Sequence, residues 1–178
     1  MAGEMTAGPL PVSIAELKAY LRLETDIEDG VLATLLRAAV GQVEAWLGVA
    51  LVRREFRQLG VAVDGRLSLL QEPLEVVLAV AAVGADGTET TIAAADWSVE
   101  RPVAGPPILC LADGATRPVC VRYIAGLGGD WNGVPEAVRQ AVMRAAAHGF
   151  ANRDGGEDTG LPASVRQMLA PFRRTRLI

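Results

Sequence analysis

The apolar residues of this 178-residue chain change their period twice. From Ile14 to Trp46 they recur every three or four positions. From Leu51 to Ala125 they alternate or gather into short β-branched runs, and after Pro135 the helical spacing returns. A helix buries one stripe of its surface and a strand buries every second residue, so one type of element cannot serve the whole chain. The pattern predicts an α+β fold. A helical framework comes from both ends: two N-terminal helices, a third helix and a short C-terminal helix. A β-rich insertion lies between helices two and three. The expected segments are 1–50 for the N-terminal helices, 51–125 for the insertion, 126–160 for a glycine loop, long helix and acidic loop, and 161–178 for a C-terminal arm. Together they make one structural domain with an insertion. Half the chain, 51%, is hydrophobic but only 4% is aromatic, so the core must be built from small and branched side chains.

Local signals place the helices. "SIAELKAYLRL" begins with Ser13 and Glu16, a capping-box spacing, and predicts a helix over about 14–23. Thr25 and Glu28 repeat that spacing before Leu32, Leu35, Leu36, Ala39, Val43 and Trp46. Gly48 stands where a helix C-cap glycine belongs. This second helix, of about 20 residues, would be about 30 Å long. Gly41 inside it suggests close packing against another helix or subunit. Pro135 suits the first turn of the third helix, whose face of Val138, Ala141, Val142, Ala145 and Gly149 is almost all small. That helix should end near Arg153, before the acidic loop "DGGEDTG". Pro162 and Pro171 bracket a last short helix.

The middle predicts five or six short strands. "LVRREFRQLGV" and "RLSLL" are β-compatible. Two strands flank Asp86-Gly87, with an extended piece at Trp97 to Val99. Ile108 to Leu111 and Val119 to Ile124 read as a hairpin across Asp113-Gly114. Such a hairpin would set Cys110 opposite Cys120. A disulfide is one reading and two buried thiols in a reducing compartment is the other.

The chemistry-bearing residues are few. Gly126, Gly128 and Gly129 lie between a strand and a helix, where some proteins cradle phosphate. A phosphate loop requires a Lys and a hydroxyl after its glycines, and "GLGGDWNGVP" supplies Asp130, Trp131 and Asn132 instead. Pro135 removes an amide donor and Asp130 repels an anion. The better reading is a structural joint at Gly126, Gly128, Gly129 and Pro135. His148, the only histidine, has Arg144 and Asn152 one turn away rather than an orienting carboxylate. Two cysteines, one histidine and scattered acid pairs give no metal-ligand spacing. No catalytic residue, cofactor or metal is expected. The N-terminus lacks a basic stretch followed by an apolar block, and the longest apolar run contains Glu75. Neither a secretory signal nor a membrane span is expected.

Charge is distributed unevenly. Residues 1–50 carry three basic and seven acidic groups, whereas 126–178 carry seven and five. After Asp158 come Arg166, Arg173, Arg174 and Arg176 with no acid. Such polarity suits head-to-tail subunit contacts or a local polyanion contact, but the net charge of −4 does not suit a dedicated nucleic-acid binder.

Three stretches carry a resemblance. "LKAYLRLETDIEDGVLATLLRAAVGQVEAWLGVALVRREF", Leu17 to Phe56, is similar to a pattern running "LKxYLR", acidic turn, long helix, "VExWxG" and "LxxRxF". "VRYIAGLGGDWNGVPEAVRQAVMRAAAHGFANRD", Val121 to Asp154, is similar to one running "YxAG", loop, "VPxxVRxA" and an aromatic before "NR". "LPASVRQMLAPFRRTRL", Leu161 to Leu177, is similar to a terminal "LPxxVxxLLxPxR". In this order and spacing the chain resembles the head–tail connector (adaptor) proteins of phages with long non-contractile tails and of gene transfer agents. Gly149 departs from the pattern, which commonly has a larger apolar residue there, and would weaken one helix contact. Residues 57–118 carry almost none of the likeness.

The resemblance implies a non-enzymatic component of the particle neck, made in the bacterial cytoplasm. Its partners would be a homo-oligomeric ring, commonly of twelve copies, the portal protein above, and a stopper or tail protein below. DNA would pass through the channel without sequence-specific binding, past acidic groups that discourage sticking. Carried onto this sequence, residues 161–178 would be the portal-contacting arm, with Arg166, Arg173, Arg174 and Arg176 as contacts and the acidic loop as its hinge. A stopper or tail-completion protein is the neighbouring alternative. A small nucleotide-binding enzyme using the glycine loop is the alternative of another class.

Overall fold

A computed structural model describes residues 3–5, 13–103, 105–152 and 160–173, the first three by their backbone alone. The chain divides into two compact units. Described residues 13–52 and 128–173 form one, and residues 53–127 with the strand at 3–5 form the other.

The first unit is helical: α1 (Ile14–Leu21), α2 (Asp29–Leu47), α3 (Glu136–Ala151) and α4 (Ala163–Leu169). Ser13 starts α1 as expected, its Oγ accepting the Glu16 amide proton at 3.2 Å. The second capping box does not form. The N-cap of α2 is Glu28, without a side-chain cap bond. Two neighbouring acids serve Lys18, which pairs with Asp26 and lies 3.0 Å from Asp29. That ion pair ties the end of α1 to the start of α2 and holds the Asp26 carboxyl below its usual range. At its other end α2 closes on Gly48, left-handed at φ 73°.

α3 packs on α2, α1 and α4. Leu32, Leu36, Val43 and Leu47 of α2 and Val138, Ala141 and Val142 of α3 are fully or almost fully buried. The small face of α3 lets it come close. A Cβ added at Gly149 would stand 3.1 Å from a methyl of Leu35, so this glycine seats an α2 leucine rather than leaving a gap. Gly41 behaves otherwise: it is exposed and a Cβ there meets nothing within 4 Å, so no close packing within this chain explains it.

Among the described residues the second unit holds eight strands in two antiparallel sheets. They are β1 (Gly3–Met5), β2 (Arg54–Ala62), β3 (Arg66–Ser68), β4 (Leu74–Val83), β5 (Glu89–Ile92), β6 (Trp97–Glu100), β7 (Ile108–Leu111) and β8 (Arg117–Ala125). The five-stranded sheet runs β1-β2-β8-β4-β5 and the three-stranded sheet β3-β7-β6. Seven strands therefore lie in the insertion, rather than five or six, and β1 was not expected. β2 alternates buried and exposed along its length. Its Phe56 pairs with Tyr123 of β8, the rings stacked 5.8 Å apart.

The expected hairpin of Ile108 to Leu111 with Val119 to Ile124 does not form. β7 pairs with β3 and β6, whereas β8 lies between β2 and β4. Asp113-Gly114 does make a turn, with Gly114 at φ 63° and the Asp113 carboxylate accepting from the Ala115 amide. It carries the chain from one sheet to the other. β2 and β3 make the same switch at Asp64-Gly65, so β2–β3 and β7–β8 form one two-stranded ribbon bent at a double corner. The corner is tight: a Cβ on Gly65 would fall 2.7 Å from the Gly114 Cα. Gly65 already has φ 74°, so glycine is required there on both counts. The Leu111 amide donates to the Gly65 carbonyl at 2.7 Å and the Asp64 amide to Thr116 Oγ1 at 2.9 Å. Cys110 and Cys120 consequently lie in different sheets, and both are free thiols, so the disulfide reading is wrong.

One buried polar cluster pins the ribbon. Gln58, 2% exposed, donates from Nε2 to the Ser68 carbonyl and accepts at Oε1 from the Leu70 amide, both at 2.9 Å. The Tyr123 hydroxyl donates to the same Oε1 at 3.0 Å and accepts from the Gln71 amide at 3.2 Å. Burial raises the Tyr123 pKa, so the phenol stays a donor.

Candidate functional site

Two places gather the residues singled out from the sequence: the glycine loop, and the C-terminal helix together with the turn after it. At the first, the chain leaves the helical unit after Val52 and returns at Gly128. On the helical side these crossings are fastened to each other. The Glu44 carboxylate accepts the Leu51 amide proton at 2.8 Å, the Leu51 carbonyl accepts that of Gly128 at 3.2 Å, and Val52 and Gly128 form a parallel bridge. On the other side, the Gly126 amide donates to the Pro73 carbonyl at 3.0 Å, with Gly126 at φ 149°.

The loop from Gly128 to Val134 is closed on itself. Asp130 Oδ1 accepts from the amides of Asn132 at 2.9 Å and Gly133 at 3.1 Å, and the Val134 amide donates to the Trp131 carbonyl. A short 3-10 turn, Trp131–Gly133, results, and Pro135 stands at the N-cap of α3. Gly128 is needed because its backbone passes against Gly133: a Cβ would come within 2.6 Å of the Gly133 carbonyl carbon. Gly129 has open space around it. The amides of Gly128, Asn132, Gly133 and Val134 are thus engaged internally, and an anion would meet the Asp130 carboxylate rather than a set of free donors. Asp130 is thus a cap as well as a charge. Its role as a cap was legible in the run "DWNG", since an aspartate two and three residues before amides is a turn former.

At the second place, α4 buries Val165 and Leu169 and leaves Arg166 exposed. A 3-10 turn, Ala170–Phe172, comes next, and the backbone is extended at Arg173. The Arg173 guanidinium lies over the Trp46 ring, 4.6 Å from its centroid. Arg166 and Arg173 are both exposed. Arg174, Arg176 and the acidic hinge loop lie outside the described residues. Trp46, expected as a core residue, is half-buried, and Leu47 beside it takes the core position.

His148 has Asn152 as its neighbour: the Asn152 amide nitrogen lies 3.2 Å from Nδ1 and donates to the His148 carbonyl at 2.8 Å, ending α3. Among the described residues no three His, Cys, Asp or Glu side chains gather as a metal site, and no helix is long and apolar enough to cross a membrane.

No family model matches the chain, and no curated protein does. Solved structures do. A chain from the neck of an empty gene transfer agent particle, computed with sixfold symmetry, is 30% identical with a TM-score of 0.80. The match covers 100% of this chain and 98% of that one. The chain belongs with the neck proteins of gene transfer agent particles. A chain of the virion of a native gene transfer agent particle is similar to this neck protein at 29% identity and TM-score 0.79. One from a native neck computed with twelvefold symmetry matches at 30% and 0.78, each over 100% of this chain and 98% of the other. Both units of the neck protein are therefore included in the likeness. It is a structural component of a phage-like particle.

Proposed function

We propose that this neck protein is the head–tail connector (adaptor) subunit, forming a ring below the portal that extends the DNA channel and receives the stopper or tail. The observation that carries the reading is the full-length likeness to chains of particle necks, two of them computed with cyclic symmetry. The order of the sequence motifs supports the adaptor position within the neck. The ring would be homo-oligomeric, of twelve copies, with DNA passing through without base-specific contacts. In this reading the arm, residues 161–178, meets the portal through arginines. The loop of Gly126, Gly128, Gly129 and Pro135 is the return joint from the β-rich unit to the helices.

Electron microscopy of purified particles, with this chain localised, tests the proposal. A ring of this chain directly against the portal is expected, as is loss of head–tail joining when residues 174–178 are deleted, which leaves the buried Val165 and Leu169 of α4 in place. Density for this chain only distal to such a ring would make it a stopper protein and overturn the adaptor reading.

A further inference from the structure

Of the arginines assigned to the arm, one is already occupied. We infer that Arg173 is not a portal contact but the anchor that fixes where the C-terminal segment leaves the helical unit, with Trp46 as its platform; the inference deepens the adaptor reading and rests on it for the meaning of the arm. The residues build this exit stepwise. Val165 and Leu169, one turn apart and both buried, hold α4 down. Pro171 ends the α-helix in a 3-10 turn, and the backbone straightens at Arg173, φ −71° and ψ 122°. There the guanidinium covers the face of Trp46, in the last turn of α2 before the left-handed Gly48.

The indole Nε1 is buried and finds no hydrogen-bond partner among the described residues, while the half-buried ring meets the guanidinium 4.6 Å from its centroid. A planar guanidinium stacks on an aromatic face while its edge stays in water. Among the described residues no carboxylate pairs with Arg173, and the ring is the partner the structure gives it. The cations left for the portal contact of the adaptor reading are then Arg166, exposed on α4, together with Arg174 and Arg176.

The test uses the full chain labelled with 15N-tryptophan. Its three indole signals, from Trp46, Trp97 and Trp131, are assigned by Trp→Phe substitution. Arg173→Ala should move the Trp46 signal and leave those of Trp97 and Trp131 in place, which also checks folding. Arg174→Ala and Arg176→Ala should move none of them. Amide exchange across 165–172 should rise about 2- to 5-fold in Arg173→Ala, the factor expected from losing one exposed cation–π contact. Head–tail joining should suffer more from Arg174→Ala with Arg176→Ala than from Arg173→Lys. An unmoved Trp46 signal in Arg173→Ala would overturn the anchor. If that signal moves but deletion of 174–178 leaves particles joined, the anchor stands and the portal reading of the arm falls.

Discussion

Replacing Gly128 with alanine tests whether the glycine loop is a packed joint. The added methyl would lie 2.6 Å from the Gly133 carbonyl carbon, 2.9 Å from the Gly133 Cα and 2.9 Å from the Asp130 carbonyl oxygen. Non-bonded carbons rest at about 3.5–4.0 Å, so the overlap is about 1 Å. All three atoms are backbone, and no rotamer change relieves them. Either the 3-10 turn opens, with loss of the Asp130 cap, or Gly128 moves and loosens its bond to Leu51. Overpacking of this kind costs about 1–3 kcal/mol, and a clash against backbone on two sides belongs in the upper half of that range. For a chain of this size each 1 kcal/mol lowers Tm by about 2–4 °C, so a drop of about 4–12 °C is expected.

Gly129→Ala is the matched control. It adds the same methyl one residue on, where nothing lies within 4 Å. Its effect should stay within about 0.5 kcal/mol, as at other open surface sites. Both variants are to be followed by far-UV circular dichroism, which reports the helical unit, and by tryptophan emission, since Trp131 lies in the loop itself. Were Gly128→Ala to melt within about 1 °C of the parent, or Gly129→Ala to melt as low as Gly128→Ala, the packed-joint account would be refuted.

Other perturbations have equally definite outcomes. Gln58→Leu strips the buried Ser68 carbonyl and Tyr123 hydroxyl of a partner and should cost about 2–4 kcal/mol in urea unfolding, with Tyr123→Phe costing about 1–2 kcal/mol. Ser13→Ala removes the cap of α1 and should cost about 0.5–2 kcal/mol by the same assay. Asp26, Glu89, Glu100, Asp113 and Glu136 are each held below the usual carboxylate range, in Asp26 chiefly by Lys18 and in Glu89 and Glu100 by Arg57 and Arg66. Their contribution is therefore complete above the ordinary carboxylate pKa and disappears as pH falls through the depressed values. Asp26→Asn should flatten the acid limb of a stability-against-pH curve without shifting its neutral plateau upward.

The helical unit was the more legible half. The Ser13 cap, the Gly48 stop, the α2 face of Leu32, Leu36, Ala39 and Val43, and the small α3 face all followed from spacing. So did the Asp86-Gly87 hairpin, in which Val83 pairs with Glu89. The failures have specific causes. Thr25 and Glu28 have the spacing of a capping box, but α2 begins only at Asp29 with Glu28 itself at the N-cap, which leaves Thr25 three residues too early to cap it. The strand–turn–strand text around Asp113-Gly114 is that of a hairpin, yet β8 has nine residues that pair along their whole length with β2 and on the other edge with β4. The four residues of β7 find β3 and β6 instead. At the glycine loop, the absence of phosphate-binding residues was readable, whereas the contact of Gly128 with Gly133 was not. The stacking of Arg173 on Trp46 joins residues far apart in the chain, and nothing near either one announces it.

Periods, caps and turn residues act over about four positions, within reach of the backbone hydrogen bonds that they serve. By itself, then, the sequence determined the element types, most of their ends and the α+β order. Only the tertiary structure decided the partners: which sheet each strand joins, which glycine is pressed against another backbone, and which arginine is held by an indole. Those choices depend on groups distant in the chain competing for the same hydrogen bonds and the same surface, and that competition is resolved only when the two units have folded.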